Sequence, residues 1–201
     1  MLTIPQFLDF PTDESSLEIV EFFLKMLEKK NSSLFLHSQQ VANYSVSIAA
    51  KMGLPPAEVA CIKTAALLHD IGHLAVPNSI LQKYPYFTVR ELATYKRHCL
   101  AGSSMLENVP EFSHIMKIIL HHHENWDGTG YPKRLKGVNI PIGSRIIAVA
   151  NYYDRTLNPC TQNWQKTHAT AAKELRNLAG IRFDPDVVQA FLKSLTTAKN
   201  K

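Results

Sequence analysis

The sequence lacks any stretch of about eighteen consecutive apolar residues, so no membrane-spanning helix is predicted. Residues 1–6 also lack a basic segment followed by an apolar core, which excludes the pattern of a secretory signal peptide. The 3 cysteines are far apart and odd in number, which argues against a disulfide framework and favours reduced thiols that serve as packing residues. From these absences we expect a cytoplasmic protein with no membrane partner.

Positive charge is in excess, but it is not concentrated. The 201 residues include 22 lysines and arginines against 17 aspartates and glutamates, a formal net charge of +5, and the cations are scattered along the chain. This balance favours anionic ligands such as nucleotides, whereas the lack of a basic stripe gives no reason to expect nucleic-acid binding. A hydrophobic content of 45% at this length suffices for the core of one domain.

Apolar residues at helical spacing fill most of the chain. Thr88 and Glu91 have the spacing of a capping box, and Asp184-Pro185 has the pattern of an N-cap followed by a first-turn proline. No β-hairpin signal, internal repeat or low-complexity tract is present. We therefore predict an all-α fold with helices over residues 15–30, 37–52, 56–68, 88–106, 110–122, 141–158, 161–179 and 185–195.

An adjacent histidine and aspartate, His69-Asp70, end the third predicted helix. A neutral imidazole suits Fe, Mn, Zn or Ni, and a carboxylate adds negative charge and bridges ions, so the pair is suited to a mono- or binuclear centre that activates water. Alone the dipeptide is weak evidence. Further histidines fall on or beside the inward faces of separate predicted helices, namely His37, His98, His122 and His123. We expect these helices to converge on one metal pocket.

A single buried histidine is more often a hydrogen-bonded core residue than a metal ligand. Several histidines and an aspartate at helix ends would, however, demand many buried hydrogen-bond partners, and a shared metal removes that demand. Not every histidine needs such a role, and we assign His114, His121 and His168 to the surface.

Residues 124–132 contain two glycines and a proline within five positions, so no helix continues through them. We expect an ordered loop here. A plain turn without function is the alternative.

The segments that carry these features are His37-Ser-Gln-Gln-Val41, His69-Asp70-Ile71-Gly72, Lys96-Arg97-His98-x3-Gly102, His122-His123-Glu124-x2-Asp127-Gly128-Thr129-Gly130-Tyr131-Pro132, Ile140-Pro141, Arg145-Ile146-Ile147-Ala148-Val149-Ala150 and Phe183-Asp184-Pro185. In order and spacing they resemble the HD-GYP family of bacterial signalling phosphohydrolases. The resemblance covers roughly residues 34–195.

The resemblance implies an all-helical, HD-domain-like bundle over residues 34–197 with a glycine-rich GYP loop, preceded by an N-terminal helical extension over residues 1–33. It implies two divalent metal ions, iron or manganese rather than zinc, nickel or magnesium. The implied metal ligands are His37, His69, Asp70, His98, His122, His123 and Asn151, with Asp70 bridging. The implied catalytic residues are His69, Asp70 and His73, and the implied substrate- or partner-binding residues are Trp126, Asp127, Gly128, Gly130, Tyr131, Pro132 and Arg145.

The chain departs from the family pattern at several positions. His73 stands where the family has a lysine near substrate phosphate, which replaces a fixed cation with one that titrates near neutrality. Asn151 stands where the family has its last ligating aspartate. The Arg-Pro-Tyr-Lys/Arg run that normally follows the second aspartate of that helix is missing after Asp154. Ser33 replaces the glutamate of trinuclear members, which favours a centre of two ions.

Two functions follow from these matches and departures. The first is a metal-dependent phosphodiesterase that hydrolyses cyclic di-GMP or a related cyclic dinucleotide. The second is a catalytically impaired domain that binds a cyclic dinucleotide or another signalling protein through the loop of residues 126–132. A different HD-type nucleotide phosphohydrolase is a third reading.

Overall fold

The computed structural model describes residues 14–158 and 166–198, and within these ranges it consists of helices and turns without a β-strand. The helices are α1 (Glu14–Lys30), α2 (Ser32–Lys51), α3 (Pro56–Leu68), α4 (Asn78–Leu81), α5 (Val89–Lys96), α6 (His98–Ser104), α7 (Ser113–His121), α8 (Ile142–Leu157), α9 (His168–Leu178) and α10 (Pro185–Ala198). Short 3₁₀ helices span Ile71–Ala75, Pro110–Phe112 and Gly137–Asn139. The predicted all-α class is confirmed.

Side-chain caps set several helix starts. The Thr88 hydroxyl accepts a hydrogen bond from the Glu91 N–H at 3.3 Å, and the Glu91 carboxylate accepts one from the Thr88 N–H at 2.9 Å. The predicted capping box is therefore confirmed. At α10 the Asp184 carboxylate accepts from the Asp186 N–H at 2.9 Å, as expected of an N-cap. Helix α9 begins after the N-cap Thr167, and residues 161–165 of its predicted range lie outside the described residues.

The prediction of one helix over residues 88–106 is wrong, because the helix is divided at Arg97 into α5 and α6. The Arg97 N–H bonds to the Thr94 carbonyl at 3.2 Å, a tighter link than the α-helical one. The Tyr95 carbonyl accepts from Nδ1 of His98 at 2.8 Å. The His98 side chain thus takes over a backbone acceptor where α5 ends and α6 begins.

Helix α2 is at the centre of the bundle, where it packs against α1, α3, α8 and α10. The buried core draws on all of these helices and on α7, with Val20, Leu24, Val41, Ile48, Ile62, Leu68, Ile115, Ile119, Ile146, Tyr153 and Phe191 among its members. Because α1 contributes to this core, it is part of the packed bundle; a domain boundary at residue 33 stays a prediction. None of the described helices is long and apolar enough to cross a membrane.

A close backbone contact holds the turn after α3 against α6. A Cβ atom added at Gly72 would lie 1.8 Å from the His98 carbonyl oxygen and 2.7 Å from the Gly102 nitrogen. Only a residue without a side chain fits at this distance. Gly72 therefore allows the turn that carries Asp70 to approach the first residue of α6.

We expect Gly72→Ala to lower the free energy of unfolding by about 3 kcal/mol, the upper part of the range for overpacking, because backbone atoms must shift to admit the methyl group. Gly102→Ala is the matched control, since its added Cβ would meet nothing nearer than 3.1 Å and its cost should be smaller. Urea denaturation of both metal-free variants measures the difference. A Gly72→Ala protein as stable as the wild type would show that the turn moves away from α6 without cost.

Candidate metal centre

The carboxylate of Asp70 lies at the centre of the candidate site, just beyond the C-terminus of α3, and is 0% exposed. The imidazole Nε2 atoms that face it belong to His73, His98 and His122 on the Oδ1 side, at 3.4, 3.6 and 4.0 Å, and to His69 and His37 on the Oδ2 side, at 3.4 and 3.9 Å. The ring of His123 lies 4.1 Å from the ring of His122, centroid to centroid. The structure thus brings together the histidines that the sequence analysis assigned to one pocket.

Helix ends orient several of these rings. The last turn of an α-helix leaves carbonyl groups without backbone donors. Histidine Nδ1 atoms bond to such carbonyls three residues earlier in the chain: His69 to Ala66 at 2.7 Å, His98 to Tyr95 at 2.8 Å and His122 to Ile119 at 2.6 Å. Because a carbonyl only accepts, each Nδ1 carries the ring proton and each Nε2 keeps a lone pair. These lone pairs point toward Asp70.

His37 is oriented by a carboxylate rather than by a carbonyl. Its Nδ1 lies 2.5 Å from Oδ2 of Asp154 on α8, and Asp154 Oδ1 accepts from the Asn158 side chain at 3.0 Å. Asp154 is 1% exposed, so this contact is protected from water. A carboxylate that holds Nδ1–H fixes the ring and makes Nε2 a stronger ligand.

Burial keeps the imidazoles neutral. Loss of hydration lowers the pKa of His69 from 6.5 to about 3 and that of His122 to about 4. The pKa values of other rings are lowered for the same leading reason, namely those of His37, His98 and His123. A neutral imidazole is the form that binds metal.

Asp70 is ionised despite its burial. Burial by itself raises the pKa of this carboxyl, but its contacts with the His73 ring and with the guanidinium of Arg155 outweigh burial and hold the pKa well below its usual range. The site therefore combines a buried anion with neutral imidazoles, among them His69, His98 and His122, that face it.

This donor set fits a metal ion. Nε2 of His98 and Nε2 of His122 are 3.4 Å apart, and since each ring keeps its proton on Nδ1, two lone pairs face each other. Nε2 of His37, Nε2 of His69 and Oδ1 of Asp70 are buried without a hydrogen-bond partner in the described protein. Facing lone pairs that are removed from water require a cation between them. Ligand atoms within 4.8 Å of one another form the groups His37–His69–Asp70, Asp70–His73–His98 and His98–Cys99–His122–His123.

His73 lies deeper than the sequence analysis expected. It is 1% exposed, its Nε2 faces Asp70 Oδ1, and its ring stacks on His98 with centroids 4.2 Å apart. The 3₁₀ helix Ile71–Ala75 packs against α6 and turns the ring inward. His73 is thus placed beside the carboxylate, and its predicted role next to substrate phosphate stays a prediction.

Asn151 on α8 is buried beside the cluster, where its Oδ1 accepts from Nε of Arg155 at 3.0 Å. Nη2 of the same guanidinium donates to Oδ2 of Asp70 at 3.0 Å. The basic run of the family is missing after Asp154, yet Arg155 supplies a cation at the site. Arg155 therefore connects Asn151, which replaces the last ligating aspartate of the family, to the carboxylate of Asp70.

The loop of residues 124–132 is ordered, as predicted, because backbone bonds hold it from several sides. The Trp126 and Asp127 N–H groups donate to the carbonyls of Arg182 and Ile181 at 3.0 and 2.9 Å. A Cβ at Gly130 would lie 2.2 Å from the Asn125 nitrogen, so this position also requires glycine. The loop is fixed against the turn that precedes α10.

Tyr131 connects this loop to the histidine cluster. Its ring stacks on His123 with centroids 4.9 Å apart, and the Lys96 ammonium lies 4.8 Å from its centroid. Its N–H donates to the His123 carbonyl at 3.1 Å. The loop thus covers one side of the cluster with an aromatic face.

A cavity of about 650 Å³ opens beside the cluster. It reaches His122, His123, Asn151 and Arg155, so the candidate ligands form part of its wall. The cationic side chains of the wall are those of Lys96, Arg155, Lys166 and Arg182, and its aromatic rings are those of Tyr84, Tyr95, Tyr131, Tyr152 and Phe183. The described lining contains one carboxylate, that of Glu124.

The predicted substrate- or partner-binding residues are divided by the structure. Gly130 and Tyr131 line the large cavity. The remaining members, Trp126, Asp127, Gly128, Pro132 and Arg145, are not part of its described lining. Arg145 instead donates to Asp184 Oδ2 at 2.6 Å and to the Ile140 carbonyl at 2.9 Å, bonds that join the start of α8 to the start of α10. The binding roles of these five residues stay predictions.

A family model described as "HD domain" matches residues 21–187, which is most of the chain. The chain therefore belongs to the HD domain family. A cyclic di-GMP phosphodiesterase of Thermotoga maritima is 36% identical over 178 residues, 88% of this chain and 48% of the relative. The 3'3'-cGAMP-specific phosphodiesterase 2 of Vibrio cholerae is 34% identical over 182 residues, 90% of this chain and 35% of the relative. The chain spans half or less of the length of these curated relatives.

Solved structures agree with this assignment. Bd1817 of Bdellovibrio bacteriovorus, described as an HDG"Y"P protein, superimposes with a TM-score of 0.65 at 26% identity, over 80% of this chain and 51% of that one. The HD domain of the L. monocytogenes phosphodiesterase PgpH in complex with cyclic-di-AMP has a TM-score of 0.64 at 17% identity, over 89% and 95% of the two chains, which shows a shared fold. The resemblance to HD-GYP proteins is confirmed, and with it a metal-dependent family.

Several residues of the site were missed by sequence reasoning. Asp154 and Arg155 are three and four positions after Asn151, a spacing that places all three on one face of a helix. That spacing was a usable signal. Lys166 and Arg182 come from the segments that flank α9, and no local pattern indicates that they face one cavity.

Asp154→Asn should lower metal affinity on the order of 10- to 100-fold, because a neutral amide in place of the carboxylate no longer holds Nδ1–H of His37 with a full charge. Asp186→Asn, a change at an exposed residue of α10, is the matched control. Isothermal titration of Mn²⁺ into both apo variants provides the comparison. An unchanged Mn²⁺ affinity in Asp154→Asn would show that Asp154 does not support the metal site.

The metal-free protein should lose stability on acidification below pH 6.5, the ordinary histidine pKa, toward pH 4, because histidines with lowered folded-state pKa values take up protons on unfolding. Each such proton contributes a slope of about 1.4 kcal/mol per pH unit. His122→Asn should reduce the slope of stability against pH by the contribution of one proton. The asparagine amide can still donate a hydrogen bond near the Ile119 carbonyl. Urea denaturation of EDTA-treated protein between pH 7.5 and pH 5 measures the slope, and a flat profile would contradict the burial of neutral rings.

Proposed function

We propose that the chain is a metal-dependent phosphodiesterase domain that hydrolyses cyclic di-GMP or a related cyclic dinucleotide. The observation that carries this proposal is the position of the cationic, aromatic cavity, whose wall includes candidate ligands of the Asp70 cluster. The volume of about 650 Å³ falls within the usual range of small-molecule sites, roughly 300–1,000 Å³.

The lining matches the chemistry of a cyclic dinucleotide. Such a ligand carries two phosphodiester anions and two planar bases. Lys96, Arg155, Lys166 and Arg182 provide positive charge for the phosphates, and the tyrosine and phenylalanine rings provide faces on which bases stack. The names of the relatives support the same class, since they include phosphodiesterases for cyclic di-GMP and for 3'3'-cGAMP.

Each part of the site has a distinct task in this proposal. Metal ions bound here would supply activation of water and polarisation of the phosphodiester. Asp70 and the surrounding imidazoles would hold the ions, and the carbonyls of the three helix ends, with Asp154, keep the rings in place. Arg155 is close enough to the cluster to neutralise charge on the reacting phosphate. Tyr131 and its loop limit water on the side of His123.

The donor set supports the choice of metal. Imidazole nitrogens with a carboxylate suit iron, manganese and zinc, whereas magnesium prefers oxygen ligands. We propose iron or manganese, with two positions on the two sides of Asp70. A cytoplasmic location, a role in signal transduction and binding of another signalling protein through the GYP loop are further predictions.

The direct test combines metal analysis with turnover. The purified chain is loaded with Mn²⁺ or with Fe²⁺ under anaerobic conditions and incubated in parallel with cyclic di-GMP, 3'3'-cGAMP and cyclic di-AMP. We expect hydrolysis of at least one of them to a linear product, with no turnover after EDTA treatment. Tight binding of a cyclic dinucleotide without hydrolysis by the metal-loaded protein would favour the impaired regulatory module instead.

Asp70→Asn and His69→Ala should each reduce bound metal and lower any phosphodiesterase rate by about 100-fold or more, because each removes a group at the centre of the donor set. Asp70→Asn should be the more damaging change, since the carboxylate faces both groups of imidazoles. Elemental analysis after desalting and a product assay give the two readouts. Normal metal content and rate in both variants would overturn the metal assignment.

A further inference from the structure

Both Asp70 oxygens face imidazole rings, but Arg155 contacts the carboxylate at Oδ2. On the Oδ1 side the neighbouring groups are the rings of His73, His98 and His122. On the Oδ2 side Nη2 of Arg155 is 3.0 Å away, closer than Nε2 of either His69 or His37. A guanidinium is charged at every accessible pH. One side of the carboxylate thus already has a cation.

At least two oxygens hold the guanidinium at that place. Nη2 donates to Asp70 Oδ2 and Nε donates to Asn151 Oδ1, each at 3.0 Å. Arg155 and Asn151 are four residues apart on α8, so they lie one above the other on the same helix face. The charge of Asp70 and the amide of Asn151 are therefore engaged by Arg155 on the side where His37 and His69 present their lone pairs.

The charge of the Arg155 guanidinium determines how well a metal ion can bind on the Oδ2 side of Asp70. A divalent ion bound by His37, His69 and Asp70 would lie next to the Arg155 guanidinium, and like charges repel strongly in a buried site. Asn151 is neutral and adds no anion that would offset this repulsion. On the Oδ1 side the nearest charged or ring groups among the described residues are imidazoles, among them His98 and His122 at 3.6 and 4.0 Å, so an ion there would be farther from the guanidinium. The first ion is favoured on the Oδ1 side.

The cavity next to Asp70 offers the Arg155 side chain a second position. Its side chain is 20% exposed and forms part of the wall of the 650 Å³ cavity, where the Tyr84 ring lies 5.8 Å from the guanidinium carbon. Rotation away from Asp70 would place its charge among the groups that face an anionic ligand.

We infer that Arg155 is a built-in cation that occupies the Oδ2 side of Asp70, so that the chain binds its first divalent ion on the Oδ1 side and a second only when the guanidinium turns into the cavity. This inference rests on the proposed metal centre and assigns unequal affinities to its two positions. Asn151 completes the arrangement by accepting from the arginine.

The experiment is a titration of Mn²⁺ into the EDTA-stripped full chain, followed by calorimetry and checked by elemental analysis after desalting. We expect the wild type to bind one ion tightly and the second at least about 10-fold more weakly, and Arg155→Gln to raise the affinity of the second by about 10-fold or more, the scale of a change next to a metal ligand. Arg155→Lys keeps the charge and should keep a weak second site. Arg182→Gln removes one positive charge from the same cavity at a position over the Tyr152 ring, and it should leave both metal affinities unchanged.

The outcomes separate the two proposals. Binding of no metal by the folded wild type would overturn the metal centre itself. Two ions bound with equal affinity, or an Arg155→Gln protein whose second site is as weak as in the wild type, would overturn only the role of Arg155. If Arg155→Gln does not fold, as judged by circular dichroism, Asn151→Asp provides the alternative: an added anion should strengthen the second site, and an unchanged second site would again contradict the inference.

Discussion

The ionised carboxylate of Asp70, which is fully buried, is the constraint on which the rest of the structure depends. A charge in this position is unfavourable unless cations or strong donors surround it. The neighbouring imidazoles are poor donors toward it, because His69, His98 and His122 keep their protons on the far nitrogen, where a carbonyl accepts them. The fold therefore creates a demand for positive charge that the described protein meets on one side only, through Arg155.

Much of the fold and part of the site were predictable from the sequence, because they depend on local patterns. The stripe that includes His37 predicted that this ring faces inward, and it is buried at 9% exposure. The ordered loop before Pro132 followed from its glycines. In each case a few neighbouring residues carry the information.

The remainder depends on how distant helices cross, which no local pattern contains. Asp70 and Arg155 are 85 residues apart, and their contact exists only because α8 passes the end of α3. The inward turn of His73 likewise follows from packing against α6. Arg145 shows a related limit: this cation lies inside a family motif and was predicted to bind a ligand, and local sequence did not indicate its bonds to Asp184 and Ile140, which join two helix starts. Arginine forms the same hydrogen bonds when it binds a substrate and when it joins two structural elements. Residue type alone therefore does not distinguish the two roles.

The bonds from His69, His98 and His122 to carbonyls three residues earlier have a consequence for the dynamics of the fold. Each ring replaces a missing backbone donor at a helix end, so the same side chain is both a candidate ligand and a helix cap. A cation drawn to Nε2 makes Nδ1–H a stronger donor and so tightens the cap. If the proposed centre binds metal, loading it should tighten the last turns of α3, α5 and α7, and amide hydrogen exchange in those turns should slow together. Fraying of these helix ends and release of the metal are then expected to be coupled.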